Sequence, residues 1–303
     1  MPGIADDLSV AVVIPCFNQA RFLPAAVGSV RKQQYGRIEC IVVNDGSTDD
    51  SAAVARALRV DVLQQPNRGV SEARNAGLAA ARSDLVLFLD ADDELLPGAI
   101  ARGVGALTAD PAAAAVVGRC QVMDAAGRPL PATHRPVDPS NLYVEWLSRN
   151  FVWTPGAAMF RRRALEEIGG FPPGLGPAAD YAVYLRLARA GRIRLILEDQ
   201  VRYRKHESSM SHDPVLMLRA TLQVLRRERS EAPASLRGCI ELGRKSWCEW
   251  YGEQIVSRLR ADWRAGRRGR AQIRGAVTLA RHCPRVALRH VARKAVLMAA
   301  GPR

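Results

Sequence analysis

The stretch Leu85 to Pro97, LVLFLDADDELLP, constrains this chain more than any other. Leu85 to Leu89 is an unbroken apolar run, which cannot offer one face to water and one to a core. It reads as a strand buried on both faces, the form that parallel strands take in α/β sheets. The run stops at Asp90, Asp92 and Asp93. In open α/β sheets ligands bind beyond the carboxyl ends of the strands, so these acids stand where a ligand would. Carboxylates this dense repel one another unless a cation offsets them, and a divalent metal carrying a phosphate fits the pattern.

The segments before it repeat the same grammar. LSVAVVIP, Leu8 to Pro15, reads as a first buried strand, Ala20 to Gln33 as a helix with an apolar stripe, and IECIVV, Ile38 to Val43, as a second strand. NDGSTDDS follows. Its Asp45-Gly46 pair predicts a tight turn, and Ser47 or Thr48 a cap for a helix carrying Asp49 and Asp50 in its first turn. A short strand, Val60 to Gln64, precedes a small-residue helix over Ser71 to Ala81 that carries Arg74 and Asn75. Alternating strands and helices make βαβ units. Asn44, Asp45, Asp90 and Asp92 then fall at strand ends and can share one crevice. Neither GxGxxG nor GxxxxGK[ST] follows the first strand, which removes the main support for a dinucleotide fold or a P-loop.

VAVVIPCFNQARFL, ECIVVNDGSTDDS, NRGVSEARNAGL and LVLFLDADDELLPGAI, in this order, resemble the family 2 glycosyltransferases. TPGAAMFRRRALEEIGGFPP, AADYAVYLRLARAG and YRKHESSMS are similar to that family's acceptor-side segment, base-bearing helix and closing loop. The likeness runs over about residues 8 to 212. It implies a GT-A fold: an α/β, Rossmann-like, mixed and mainly parallel sheet flanked by helices, here with a helical C-terminal extension. The implied domains are a catalytic domain over 1–213, with a nucleotide-sugar half to about residue 110 and an acceptor half beyond, and an extension over 214–303.

The resemblance also implies roles. Pro15, Asn18 and Asp45 would line a nucleoside pocket, with Asp45 accepting a hydrogen bond from the base, commonly uracil; a plain Asp-Gly turn is the alternative. Arg74 would approach the diphosphate or nucleoside, or be a solvated helix arginine, while Asn75 reads as polar surface. Asp90 and Asp92 match the DxD motif, Asp92 for metal contact and Asp90 for ribose or metal, and hard oxygen ligands suit Mg²⁺ or Mn²⁺. Asp93 would cap or orient its neighbours. Asp180 is the expected general base, at the start of a helix whose dipole favours the ionised form; an ordinary N-cap is the alternative. Ala179 and Ala182 stand where many relatives carry acids. His206 is a third metal ligand or diphosphate contact, or else a solvated histidine. Trp153 offers a stacking face or packs in the core, and the small residues after Thr154 let a sugar approach the backbone.

The expected activity is inverting transfer of a sugar from a nucleotide donor, UDP-linked by preference, to an acceptor hydroxyl of a cell-surface glycan or lipid-linked precursor. The rival is a non-catalytic nucleotide-sugar binder or scaffold of a glycan assembly pathway. A nucleotidyltransferase would want a glycine-rich basic loop after the first strand, which CFNQARFL is not.

Charge is lopsided: from Arg226 onward there are 19 Lys/Arg against 6 Asp/Glu, an excess of 13 out of the total of +14. A basic end points to a polyanionic surface, and helical periodicity without interleaved aromatics favours anionic lipid over nucleic acid. Two long helices are expected after Pro214, then a mobile basic link at Ala265 to Arg270. Arg281, Arg285, Arg289 and Arg293 then share one helix face, with Leu288, Val291, Ala295 and Met298 on another; this helix lies on a membrane or docks on the catalytic domain. MPGIADDLSV has acids where a signal peptide has bases, and no apolar run is long enough to cross a bilayer. The expectation is a cytoplasmic protein, peripheral at the inner membrane face, with its six scattered cysteines reduced.

Overall fold

A computed structural model of the chain describes residues 8–299, with side chains through residue 292. The N-terminal MPGIADD and the side chains of Arg293, Ala295 and Met298 lie outside the described residues. The chain divides into two compact units. One comprises the described residues to Trp146 with Asn150–Glu207, the other Leu147–Arg149 with the described residues from Ser208.

The first unit is built on one sheet: β1 (Val10–Cys16), β2 (Ile38–Asp45), β3 (Asp61–Gln65), β4 (Leu85–Phe88), β5 (Glu94–Leu95), β6 (Ala115–Met123), β7 (Pro129–Leu130), β8 (Ala158–Arg161) and β9 (Ile193–Arg204). Its order is β3-β2-β1-β4-β8-β6-β9-β5, with β7 on β6. The pairs β3-β2, β2-β1, β1-β4 and β6-β9 are parallel, whereas β8 runs antiparallel to both β4 and β6. Val10 to Ile14 and Leu85 to Leu89 are almost wholly inaccessible, as their unbroken apolar runs require.

Helices α1 (Leu23–Arg31), α2 (Ser51–Ala57), α3 (Val70–Ala80), α4 (Ala99–Ala109), α5 (Leu142–Ser148), α6 (Arg162–Glu167) and α7 (Ala179–Arg189) connect these strands. α3 packs on β1 and β2. It approaches so closely that a methyl group built on Gly77 would overlap Val13. Gly77→Ala is therefore expected to lower stability by a net ~1–2 kcal/mol, overpacking outweighing the gain in helix propensity. A urea midpoint that rose instead would show that the helix can shift away. The expected cap of α2 differs from that observed. The helix begins at Ser51, and Asp49, ahead of it, accepts from Ser51 N–H at 2.9 Å and Ala20 N–H at 3.1 Å.

The second unit contains α8 (Pro214–Glu231), α9 (Arg237–Arg264), α10 (Arg270–His282) and α11 (Pro284–Ala299). α8 opens as the sequence prescribes: Pro214 stands in its first turn, and the Asp213 carboxylate accepts from the N–H groups of Val215 and Leu216. Leu218, Tyr251, Ile255, Leu279 and Val286 belong to its core. The expected single helix from Arg281 is not there. Pro284 disfavours a helical Cys283, so Arg281 stands in the last turn of α10 while Arg285 and Arg289 belong to α11, and Arg289 is ion-paired with Glu249 and Glu253 of α9. The link at Ala265 to Arg270 is also tied down: Asp262 accepts from Arg267 Nε at 2.8 Å and from Gln272 Nε2 at 2.7 Å. All six cysteines are free thiols.

Candidate active site

β1 lies between β2 and β4 and marks where the connections change direction, which opens a crevice at the strand ends. Asp45 ends β2, and Asp90 follows β4. Their backbones are thus about two strand spacings, roughly 10 Å, apart. Asp45 is buried and accepts from Arg68 N–H at 2.9 Å, Gly69 N–H at 2.8 Å and Gln65 Nε2 at 2.7 Å. A carboxylate offers about four lone-pair sites, so about one remains for a ligand. Gly46 takes a φ of +70°, and a Cβ there would meet Asn67 N at 2.6 Å, so the turn passes hard against the 66–69 loop.

Asn18, at a φ of +54°, ties the loop after β1 to the loop after β2. Its Oδ1 accepts from the N–H groups of Thr48 (2.8 Å) and Asp49 (3.3 Å), and its own N–H donates to Ser47 Oγ at 3.0 Å. Pro15 is buried within β1, opposite Val43. Asn44 is spent on structure, donating to Gln64 Oε1 at 2.7 Å.

The three carboxylates of the acidic loop each do something different. Asp90 accepts from Arg74 Nη2 at 2.7 Å, and 28% of its side chain stays exposed against 4% of the arginine's. One carboxylate edge thus remains open to a ligand. Asp92 Oδ2 lies 2.7 Å from His206 Nε2. Asp93 turns inward, accepting from Thr154 Oγ1 at 2.6 Å and Arg204 N–H at 2.8 Å; burial and the neighbouring acids push its carboxyl well above the usual range. Among the described residues no three acid, histidine or cysteine side chains gather as a ready-made metal cage. Asp92 offers a hard carboxylate oxygen of the kind Mg²⁺ or Mn²⁺ takes beside phosphate and water.

Arg74 does not point to solvent. Its guanidinium is buried beside Asp90 and lies 5.3 Å from the centroid of the Phe171 ring, and its charge also reaches Asp180. Asp180 is in the first turn of α7, one residue inside the helix rather than at the cap. It is buried, which pushes its carboxyl up to about 6, while Arg74 and the Tyr181 N–H pull the other way. Tyr184, one turn on, is raised by burial and then by Asp180. Its hydroxyl and Arg74 Nε are both buried without a hydrogen-bond partner among the described residues. Helix α7 and the acidic loop thus meet across one arginine, with donors left unspent.

Several neighbours gave no sign of themselves in the sequence. Arg204 clamps the acidic loop from β9, Nε donating to Asp92 O at 2.7 Å and Nη2 to Glu94 Oε1 at 2.6 Å. The Phe22 and His206 rings lie 4.8 Å apart, tilted by 36°, with Arg204 5.1 Å from the Phe22 ring centre. Asn75 is not loose surface: it donates to Phe171 O at 2.9 Å and accepts from Phe171 N–H at 2.8 Å, fixing the ring that faces Arg74. Gly156 is closed by packing rather than open to a sugar, since a Cβ there would meet Val201 Cγ2 at 2.9 Å. Trp153 is partly exposed and stacks on His134 at 4.8 Å.

The fold is that of the GT-A class. Staphylococcus aureus TarS 1–349 in complex with UDP-GlcNAc superposes with a TM-score of 0.64 at 19% identity, over 78% of this chain and 72% of that one. The mannosyltransferase PcManGT from Pyrobaculum calidifontis, in complex with GDP-Man and Mn²⁺, superposes with a TM-score of 0.61 at 20% identity, over 98% and 83%. An uncharacterized glycosyltransferase of Nostoc sp. is 32% identical over 217 residues, 66% of this chain and 65% of the relative. The chain spans less than two thirds of the length of this and the other curated relatives it matches, down to 14%. The family "Glycosyl transferase family 2" matches residues 11–169, just over half of the chain, and the chain belongs to that family.

Proposed function

We propose that the chain is a metal-assisted, inverting glycosyltransferase that moves a sugar from a nucleotide donor, UDP-linked by preference, to a hydroxyl of a cell-surface glycan or its lipid-linked precursor. One observation carries this reading: Asp90 on the donor side and Asp180 on the base helix share the buried Arg74. The catalytic part is residues 1–213, a nucleotide half to about residue 110 and an acceptor half after it, with 214–303 as an extension, working on the cytoplasmic side of a membrane.

In this reading Pro15, Asn18 and Asp45 border the nucleoside, and Asp90 faces ribose or metal. Asp92, with His206 beside it, would hold the Mg²⁺ or Mn²⁺ that accompanies the donor. The bound ion supplies positive charge against the negative charge that grows on the departing nucleoside diphosphate. Asp180 accepts the acceptor's hydroxyl proton as that oxygen bonds to the anomeric carbon from the face opposite the leaving group. The electron pair of the broken carbon–oxygen bond leaves with the diphosphate, and configuration inverts. A carboxyl raised to about 6 suits a general base, being ionised at neutral pH and more basic than an exposed aspartate. Arg74 keeps burial from raising it further.

A non-catalytic binder is favoured by Ala179 and Ala182, buried apolar positions beside Asp180 where the family resemblance implies acids in many members. The two readings part on turnover. A screen of UDP- and GDP-sugars with Mn²⁺ is expected to find a donor that raises the melting temperature by roughly 5–10 °C at saturating ligand and is consumed when acceptor is added. Asp92→Ala is expected to remove the Mn²⁺-dependent part of that rise. Protection without turnover would leave the binder; no protection by any nucleotide sugar would end the proposal.

A further inference from the structure

The outward face of the last two helices breaks the usual rule for a solvated surface. α10 turns Gly275, Thr278 and Leu279 inward, and a soluble helix should be polar on the opposite side. Instead Ile273 and Val277 stand there, one turn apart and 66% and 57% exposed. α11 repeats the pattern: Val286 is buried in the core, while Leu288 and Val291 are 67% and 66% exposed. At 3.6 residues per turn Ile273, Val277 and Ala280 lie on one stripe roughly opposite the core side, with Arg270, Arg274 and Arg281 along one flank. Leu288 lies opposite Val286 on α11, with the exposed Arg285 beside it. Arg274 is ion-paired with Asp213.

Basic groups from other helices gather around the end of α10. His282, at the end of α10, is held below its ordinary value first by burial and then by Arg281, Arg226, Arg219 and Arg244, which come from α8, α9 and α10. Arg244 is neutralised by a bidentate contact with Glu241, whereas Arg219, Arg226 and Arg281 are exposed. An apolar ridge bordered by arginines, in a segment holding 13 of the 14 net positive charges, offers hydrocarbon and cations side by side.

We propose that this face of α10 and α11 docks on an anionic lipid bilayer, with Ile273, Val277, Leu288 and Val291 entering the headgroup boundary and Arg270, Arg281 and Arg285 meeting lipid phosphates. The surface differs from the arginine stripe expected from the sequence, because Arg289 is committed to α9. Buried apolar area and attraction to anionic headgroups are the two contributions that hold an interfacial helix. The transferase proposal is independent of it, since it assigns no role to any of these residues.

The test is co-sedimentation of the full chain with phosphatidylcholine vesicles containing or lacking phosphatidylglycerol. Binding is expected to anionic vesicles at low ionic strength, to fall as salt rises, and to be weak on neutral vesicles. The exposed double substitution Ile273→Asp/Val277→Asp is expected to lower binding by roughly tenfold or more, and Arg281→Glu/Arg285→Glu to lower it and flatten the salt dependence. Circular dichroism and nucleotide protection serve as controls for folding. No binding to anionic vesicles at low salt overturns the proposal, and so does binding indifferent to Ile273→Asp/Val277→Asp. Two other outcomes overturn it as well: the same double substitution dissolving a dimer in solution, which assigns the ridge to a second copy, and duplex DNA binding as tightly as vesicles do.

Discussion

Asp180→Asn is expected to abolish sugar transfer, lowering turnover by roughly 10²–10⁴-fold while leaving the affinity for the nucleotide donor within a few-fold. The amide keeps the shape of the side chain and cannot take a proton. In the wild type, transfer is expected to climb with pH through about 6, since the base works only when ionised and its carboxyl is raised to that value. The same substitution should make the protein more stable. Asp180 titrates higher in the folded chain than in the unfolded one, so its ionisation costs folding free energy as pH rises from about 4 through 6. At pH 8 the asparagine variant should therefore gain on the order of 1–2 kcal/mol, and below about pH 4 nothing. Melting curves at the two pH values, set beside turnover of the donor, check both halves; unchanged transfer would remove Asp180 from the chemistry.

Arg74→Met is the second substitution with a large expected effect. Removing one partner of a buried ion pair costs about 3–5 kcal/mol because the remaining charge loses its compensation. Here two carboxylates depend on the same guanidinium: Asp90 through a 2.7 Å contact, and Asp180 through its field. Urea unfolding at pH 8 should show the full loss. At pH 5 the loss should shrink, because protonation relieves the stranded acids, whose carboxyls burial already raises. Whatever transfer survives should need a higher pH, as Asp180 no longer has a cation drawing it down. Arg74→Lys should recover part of the stability, lacking the planar fork but keeping the charge. An equal loss at both pH values would mean that Arg74 acts through packing on Phe171 alone.

Sequence pattern revealed the parallel half of the sheet because the apolar runs of β1, β2 and β4 leave no other arrangement that buries them. The other half was hidden. β8 is only Ala158 to Arg161, and its place between β4 and β6 comes from antiparallel pairings far along the chain. Glu94-Leu95 follows the acidic loop directly and looks like the approach to a helix, yet it pairs with β9. At the site, motif and order located the acids and Asp180, but not their wiring. Arg74 was visible as a residue, while its inward direction depends on how α3 packs. Arg204 left no local trace, since its partners, the main chain and side chains of 92–94, lie about a hundred residues earlier. The arginine periodicity after residue 281 misled although its correction was in plain sight at Pro284: counting by fours does not register a residue that cannot donate its N–H.

The crowding around Asp45 bears on which donors to supply. With three hydrogen bonds already received from the 65–69 segment, this carboxylate keeps room for a single imino group. Uracil and guanine each carry a ring N–H of that kind, whereas the matching ring nitrogens of cytosine and adenine are acceptors and would face a negative oxygen. In its proposed role Asp45 would therefore sort nucleobases into two camps without choosing between the members of the first, leaving discrimination between a pyrimidine and a purine to the width of the cleft around it.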